Sequence, residues 1–192
     1  MAIRQKCPEK RKSLLNATLN LVNNNGFHDA PMSKIAKTAN VSPATIYIYF
    51  KNKQDLVDQL YLEVKKHFSE YAFKNYNEDL GIEDGFKLIW HNIAQFKLEQ
   101  VEEANFLSAC DNTPIINDEI RKLGVELLNP LKLLWEKGIK DNILKNLSPF
   151  TMYAFTIYPL AFLLQCHQKK QCELNSEKMD RAYKAAWDSI KL

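Results

Sequence analysis

The chain has 192 residues, 46% of them hydrophobic, with only five glycines and seven prolines. That is enough for one substantial core or two small ones, and it excludes collagen-like and disordered classes. Net charge is +3, and the four cysteines at 7, 110, 166 and 172 form no close-paired framework. With no basic-then-apolar leader at the start, the expectation is a reduced, cytoplasmic protein.

Residues 1–7 read as a basic arm. The first helix is expected over Pro8–Asn25, where Leu14, Leu15, Thr18, Leu21 and Val22 make an apolar stripe and Gly26 ends it as a C-cap. Lys10 and Arg11 at its start are candidates to approach a phosphate backbone. A second helix spans Met32–Thr38, with Ile35, Ala36 and Ala39 at helical spacing. Asn40 can take the left-handed conformation that ends it, and Ser42 starts the next helix after a tight turn.

The stretch from Val41 to Lys53, VSPATIYIYFKNK, is the most informative in the chain. Ser42 is a good N-cap, and Pro43 is pre-set for the first helical position. Ile46 and Phe50 lie four apart and share an inward face with Val41, which leaves Pro43, Ala44, Tyr47 and Ile48 outside. An apolar, aromatic outer face is ill suited to water. It suits the major groove, where small apolar side chains touch thymine methyls and a tyrosine reaches a phosphate or base edge. Lys51 and Lys53 follow at the helix exit, placed for phosphates, and Lys34 lies on the preceding helix.

The run IAKTANVSPATIYIYFKNKQDLV resembles the signature of the tetracycline-repressor (TetR) family, IA..A.VS..T.Y.YF..K..L. Ile35, Ala36, Ala39, Val41, Ser42, Thr45, Tyr47, Tyr49, Phe50, Lys53 and Leu56 all fit. Pro43 and Ile48 depart from it, since the family often has a basic or small residue and a polar one there, so base preference does not carry over. The resemblance covers about the first sixty residues. It implies three DNA-binding helices, with Lys34, Ser42, Pro43, Ala44, Thr45, Tyr47, Ile48, Tyr49, Lys51 and Lys53 at the DNA, followed by a helical ligand-binding and dimerisation domain. It also implies a homodimer formed by the last two long helices, which extends the site to a palindromic double-stranded operator. Charge agrees: residues 1–53 carry nine Lys or Arg against Glu9 and Asp29, net +7, while the remainder carries net −4. A basic head on an acidic body is the footprint of a phosphate-binding module.

Helix four is expected to open at Asn52, with Asp55 in its first turn, and to run through Leu56, Leu60 and Val64 to about Tyr71. Residues 72–84 then turn polar, and NYNEDLGIEDG reads as a linker. Phe86, Ile89, Trp90, Ile93 and Phe96 mark an amphipathic helix, and a shorter one covers about 102–110. A long helix through Ile120, Leu127, Leu131 and Trp135 is expected to kink at Pro130 and end near Gly138. The run from Phe150 to Cys166 is apolar, but Pro159, Thr151, Thr156 and Gln165 interrupt it, so the reading is a helix buried all round rather than a membrane span. The last helix starts at Asn175 or Ser176 and carries a stripe of Met179, Ala182, Tyr183, Ala186, Trp187 and Ile190.

The sum is an all-α protein of about nine helices, with a helix-turn-helix DNA-binding domain at 1–53 and a helical effector-binding and dimerisation domain at 54–192. Trp90, His91, Phe106, Trp135 and Tyr158 are the expected liners of an effector pocket, being aromatic or mildly polar groups on helices that surround an interior. Cys166, His167 and Cys172 supply three ligands at a spacing unlike zinc modules, and no metal or cofactor is expected. No paired Glu-x-x-His motifs, Gly-rich phosphate loop or Ser/His/Asp set supports catalysis. The favoured function is a transcriptional regulator, a repressor released from its operator by a small molecule. The alternative is an effector-free or partner-regulated DNA-binding protein.

Overall fold

A computed structural model describes residues 7–111 and 113–192. Among these the protein is all-α: α1 (Pro8–Asn25), α2 (Met32–Thr38), α3 (Pro43–Tyr49), α4 (Lys53–Ala72), α5 (Ile82–Glu99), α6 (Val101–Asp111), α7 (Asp118–Glu126), α8 (Asn129–Lys140), α9 (Pro149–Thr156), α10 (Tyr158–Gln168) and α11 (Ser176–Ile190). The extended pairing among the described residues is a single antiparallel bridge between Leu144 and Lys191. The basic arm expected over 1–7 lies, apart from Cys7, outside the described residues.

The chain forms two compact units. The first holds the described residues up to Lys66 together with Val101–Val125, and the second holds His67–Gln100 with Glu126–Leu192. The first unit therefore extends past residue 53 into α4 and draws in α6 and α7 from far along the chain.

Within the first unit, α1 packs on α2 and α6, and α2 packs on α3. Leu14, Ile35, Ala36, Ile46, Phe50 and Leu56 make a closed core. Arg11 binds Glu63 at 2.7 Å and Gln59 at 3.1 Å, which ties α1 to α4. Its guanidinium is thus a strut between two helices rather than a free phosphate contact. Asp58, buried on α4, accepts from Gln54 at 2.9 Å and from the Asn117 side chain, so the segment before α7 is anchored on a satisfied buried carboxylate.

In the second unit α5 packs against α8, α10 and α11, and α11 packs on α9. Phe86, Trp90, Tyr183 and Trp187 form an aromatic cluster, with the Phe86 and Trp187 rings 5.9 Å apart and Trp90 edge-on to Tyr183 at 5.7 Å. Three expectations are corrected here. The long helix through Ile120 and Trp135 is two helices, α7 and α8, with Leu127 and Leu128 between them. Pro130 sits in the first turn of α8, where its missing N–H costs nothing, so it starts a helix instead of kinking one. The run from Phe150 to Cys166 is not buried all round. It divides at Ile157 into α9 and α10, and Phe150, Phe155, Tyr158 and Phe162 point outward, Phe150 with 88% of its surface exposed. The polar segment after α4 is also shorter than expected, because α5 already begins at Ile82.

Candidate DNA-reading surface and effector residues

The turn between α2 and α3 is built by local chemistry. Asn40 has a left-handed φ of 54°, which places the Val41 N–H 2.9 Å from the Ala36 carbonyl and the Asn40 N–H 3.1 Å from that of Lys37. This six-to-one closure is the Schellman end of α2. One residue on, the Ser42 hydroxyl accepts from the Thr45 N–H at 3.2 Å and shares a hydrogen bond with the Thr45 hydroxyl at 2.7 Å, capping α3. Pro43 occupies the first helical position. Ile46 and Phe50 are fully buried and seat the helix from behind.

The opposite side of α3 is open. Ser42, Pro43, Ala44 and Tyr47 are exposed, Tyr47 to 59%, while Thr45 and Ile48 are half-buried. Lys34 on α2 and Lys51 after α3 are exposed. A shallow concavity beside this face is lined by Ser33, Lys37, Asn40, Val41, Ser42 and Pro43. Ser33 and Lys37 were not among the residues picked from the sequence. Their signal was present, since they lie four apart on α2 and so share a face, but which face it was depended on how α2 and α3 cross.

Two of the expected DNA-binding residues have partners inside the head. The Tyr49 hydroxyl accepts from the Cys7 N–H at 3.0 Å, which fixes the end of α3 to the start of α1. The Lys53 ammonium donates to the Phe27 carbonyl and to the His28 carbonyl at 3.2 Å, and stands 4.3 Å over the Phe27 ring. Partial burial lowers its pKa, against the attraction of Asp29. Lys53 thus closes the segment after α1. Beside it, Asn52 and Asp55 fix the start of α4: the Asp55 N–H donates to Asn52 Oδ1 at 2.9 Å, and the Lys51 N–H donates to Asp55 Oδ2 at 2.7 Å.

The five expected effector residues are divided between the two units. Phe106 is buried in the first unit. The other four belong to the second unit. Trp90 is buried, with its indole N–H donating to the Thr156 carbonyl at 3.0 Å. His91, beside it, lies against Tyr183 with its Nε2 4.0 Å from Asp180, and burial lowers its pKa despite that carboxylate. Tyr158 faces outward on the α9–α10 stripe, so within one chain it lines no interior. Trp135 is buried on α8, and its indole nitrogen has no hydrogen-bond acceptor among the described residues. His167 accepts from the Leu174 N–H at 3.2 Å and serves the turn after α10.

Comparison with known proteins covers both units. Residues 14–60 match the model of the family described as bacterial regulatory proteins, tetR family, and residues 82–191 match that of the tetracyclin repressor-like C-terminal domain. A helix-turn-helix-type transcriptional regulator of Haemophilus influenzae is 30% identical over 188 residues, 98% of this chain and 99% of the relative. The fatty acid metabolism regulator protein of Bacillus subtilis is 34% identical over 154 residues, 75% of each chain. Among solved structures, a TetR family transcription regulator from Marinobacter aquaeolei superposes with a TM-score of 0.90 at 24% identity, over 96% of both chains.

Proposed function

Because the chain belongs to the tetR family of bacterial regulatory proteins, and so is a DNA-binding helix-turn-helix regulator and not an enzyme, we propose that it acts as a cytoplasmic, homodimeric repressor whose operator is released on binding a small molecule. The observation that carries the reading is the outer face of α3. Pro43, Ala44 and Tyr47 are exposed although apolar or aromatic, on a helix whose inner face is fully buried. A helix held so firmly from behind has no packing use for that surface, whereas a major groove does. Ser42 and Thr45, Lys34 and Lys51, and the Ser33–Lys37 concavity flank it where phosphates would run.

The dimer reading is supported by Phe150, Phe155, Tyr158 and Phe162, which make one outward aromatic stripe along α9 and α10. Such a stripe is costly in water and is what a second copy of the same helix pair would cover. The stripe of α11 is already used within the chain, since Tyr183, Ala186, Trp187 and Ile190 are buried. Only its polar side, with Arg181, Lys184 and Asp188, is left for the rim of an interface. Two copies would set their reading helices on one face of a palindromic duplex.

Release requires only that the effector prefer the conformation unsuited to DNA, with a coupling of ~1–3 kcal/mol. Screening starts with long-chain acyl compounds, because a relative 34% identical is named for fatty acid metabolism. The test is binding of the purified protein to DNA flanking its own gene, over a salt series, against a random duplex of equal length. Selective binding with a steep salt dependence is expected. Equal affinity for both duplexes would overturn the operator reading.

A further inference from the structure

We propose that the indole N–H of Trp135 is the polar handle of the effector site, and that it takes a predominantly apolar molecule bearing one neutral acceptor oxygen, such as a ketone, ester or thioester carbonyl. The inference rests on the effector reading above and gives it an atom and a ligand chemistry.

Trp135 retains 4% of its surface, and its Nε1 alone among the buried side-chain nitrogens and oxygens of the described residues finds no hydrogen-bond partner. Buried donors are almost always paired, and the exceptions ask for an explanation. Packing of α8 on α5 does not supply one. Those helices meet through Leu134, which approaches Gly85, and through Gly138, which approaches Ile82. Trp135 lies about 100° round the helix from Leu134 and about 60° from Gly138, at the edge of the buried face of α8. The other tryptophan on the same pair of helices, Trp90, shows what a structural indole does here: it donates to the Thr156 carbonyl. Trp135 has the same chemistry and no such use.

The ligand class follows from the surroundings. The buried faces of α5 and α8 are apolar, carrying Phe86, Ile89, Ile93, Leu131 and Leu134. A single neutral donor in such a setting can satisfy a carbonyl, but it cannot repay the desolvation of a carboxylate or phosphate, which needs a countercharge. The body of the ligand is therefore apolar, and the atom at Trp135 is an uncharged acceptor.

The experiment is nuclear magnetic resonance of the full-length protein labelled with nitrogen-15 in its indole rings. Methyl nonyl ketone is titrated against undecane, and menthone against menthane, in the wild type and in Trp135→Phe. Each ketone differs from its hydrocarbon by the acceptor oxygen. In the wild type a ketone should move the Trp135 N–H signal downfield and bind about tenfold more tightly than its hydrocarbon. In Trp135→Phe that preference should fall to about one. If neither ketone moves the Trp135 signal, or if the variant keeps the preference, the assignment is overturned. The wild-type spectrum alone decides the matter should the variant not fold. Operator binding is followed in parallel. Ketone binding at Trp135 without release of DNA would leave the site standing and remove the induction reading, and release without a Trp135 shift would do the reverse.

Discussion

The ammonium of Lys53 is bonded to the carbonyl of His28 at 3.2 Å, so a residue of the DNA-head signature secures the segment after α1. Lys53→Met keeps the stem and removes the charge. We expect a loss of about 1–2 kcal/mol of stability, since a charge-assisted hydrogen bond and a cation–π contact both go. Chemical denaturation measures this, and an unchanged midpoint would return Lys53 to the role of a free phosphate contact.

Tyr47 stands at the other extreme. It is largely exposed, so Tyr47→Ala should leave stability within about 0.5 kcal/mol. Operator affinity should fall roughly tenfold, the size of one good groove contact. Lys51→Ala should weaken binding to any sequence alike and reduce the salt slope by about one. Fluorescence anisotropy over a salt series separates these two effects, and a Tyr47→Ala protein with full affinity would count against the assigned face.

Gly124 on α7 is a packing device. A Cβ there would lie 2.6 Å from Tyr61 Cε1 and 2.8 Å from its hydroxyl, and Tyr61 is itself 1% exposed and has nowhere to retreat. Gly124→Ala should therefore destabilise the first unit by about 1–3 kcal/mol through overpacking, in spite of alanine's better helix propensity. Thermal unfolding gives the sign, and a gain in stability would mean that Tyr61 can move.

The α9–α10 stripe and α11 make opposite predictions for charge insertion. Phe155→Glu and Phe162→Glu should give folded monomers of normal helicity, because both side chains are exposed in the single chain. Trp187→Asp should instead unfold the second unit, by ~3 kcal/mol or more, since the indole is buried against Phe86. Light scattering with circular dichroism distinguishes the two outcomes. A dimeric Phe162→Glu protein would place the interface elsewhere.

His91 sets a pH dependence. Burial holds its imidazole below the ordinary value of 6.5, against the pull of Asp180 and with help from Lys87. The unfolded chain then binds the proton more readily, so stability is complete above pH 6.5 and declines as pH falls through and below it. His91→Gln should flatten that decline in an acid denaturation series. An unaltered slope would assign it to other groups.

The helices of the head were legible from the sequence because their ends are local events. Pro8 at the start of α1, Gly26 at its end, left-handed Asn40, the Ser42 cap and the Asn52–Asp55 capping pair each act within four residues. The apolar spacing of Ile46 and Phe50 likewise identified the buried side of α3, and with it the side left open. What the tertiary structure decided is the use of each surface. Lys53 and Arg11 look like phosphate ligands until Phe27, His28, Gln59 and Glu63 arrive from 25 to 52 positions away. Trp187 and Phe162 read alike as apolar helix residues, yet one is buried against Phe86 and the other is left 64% exposed. Periodicity reports that a face is apolar, whereas which face finds a partner is set by contacts between distant segments, and the unpaired nitrogen of Trp135 is visible only once all of those contacts are made.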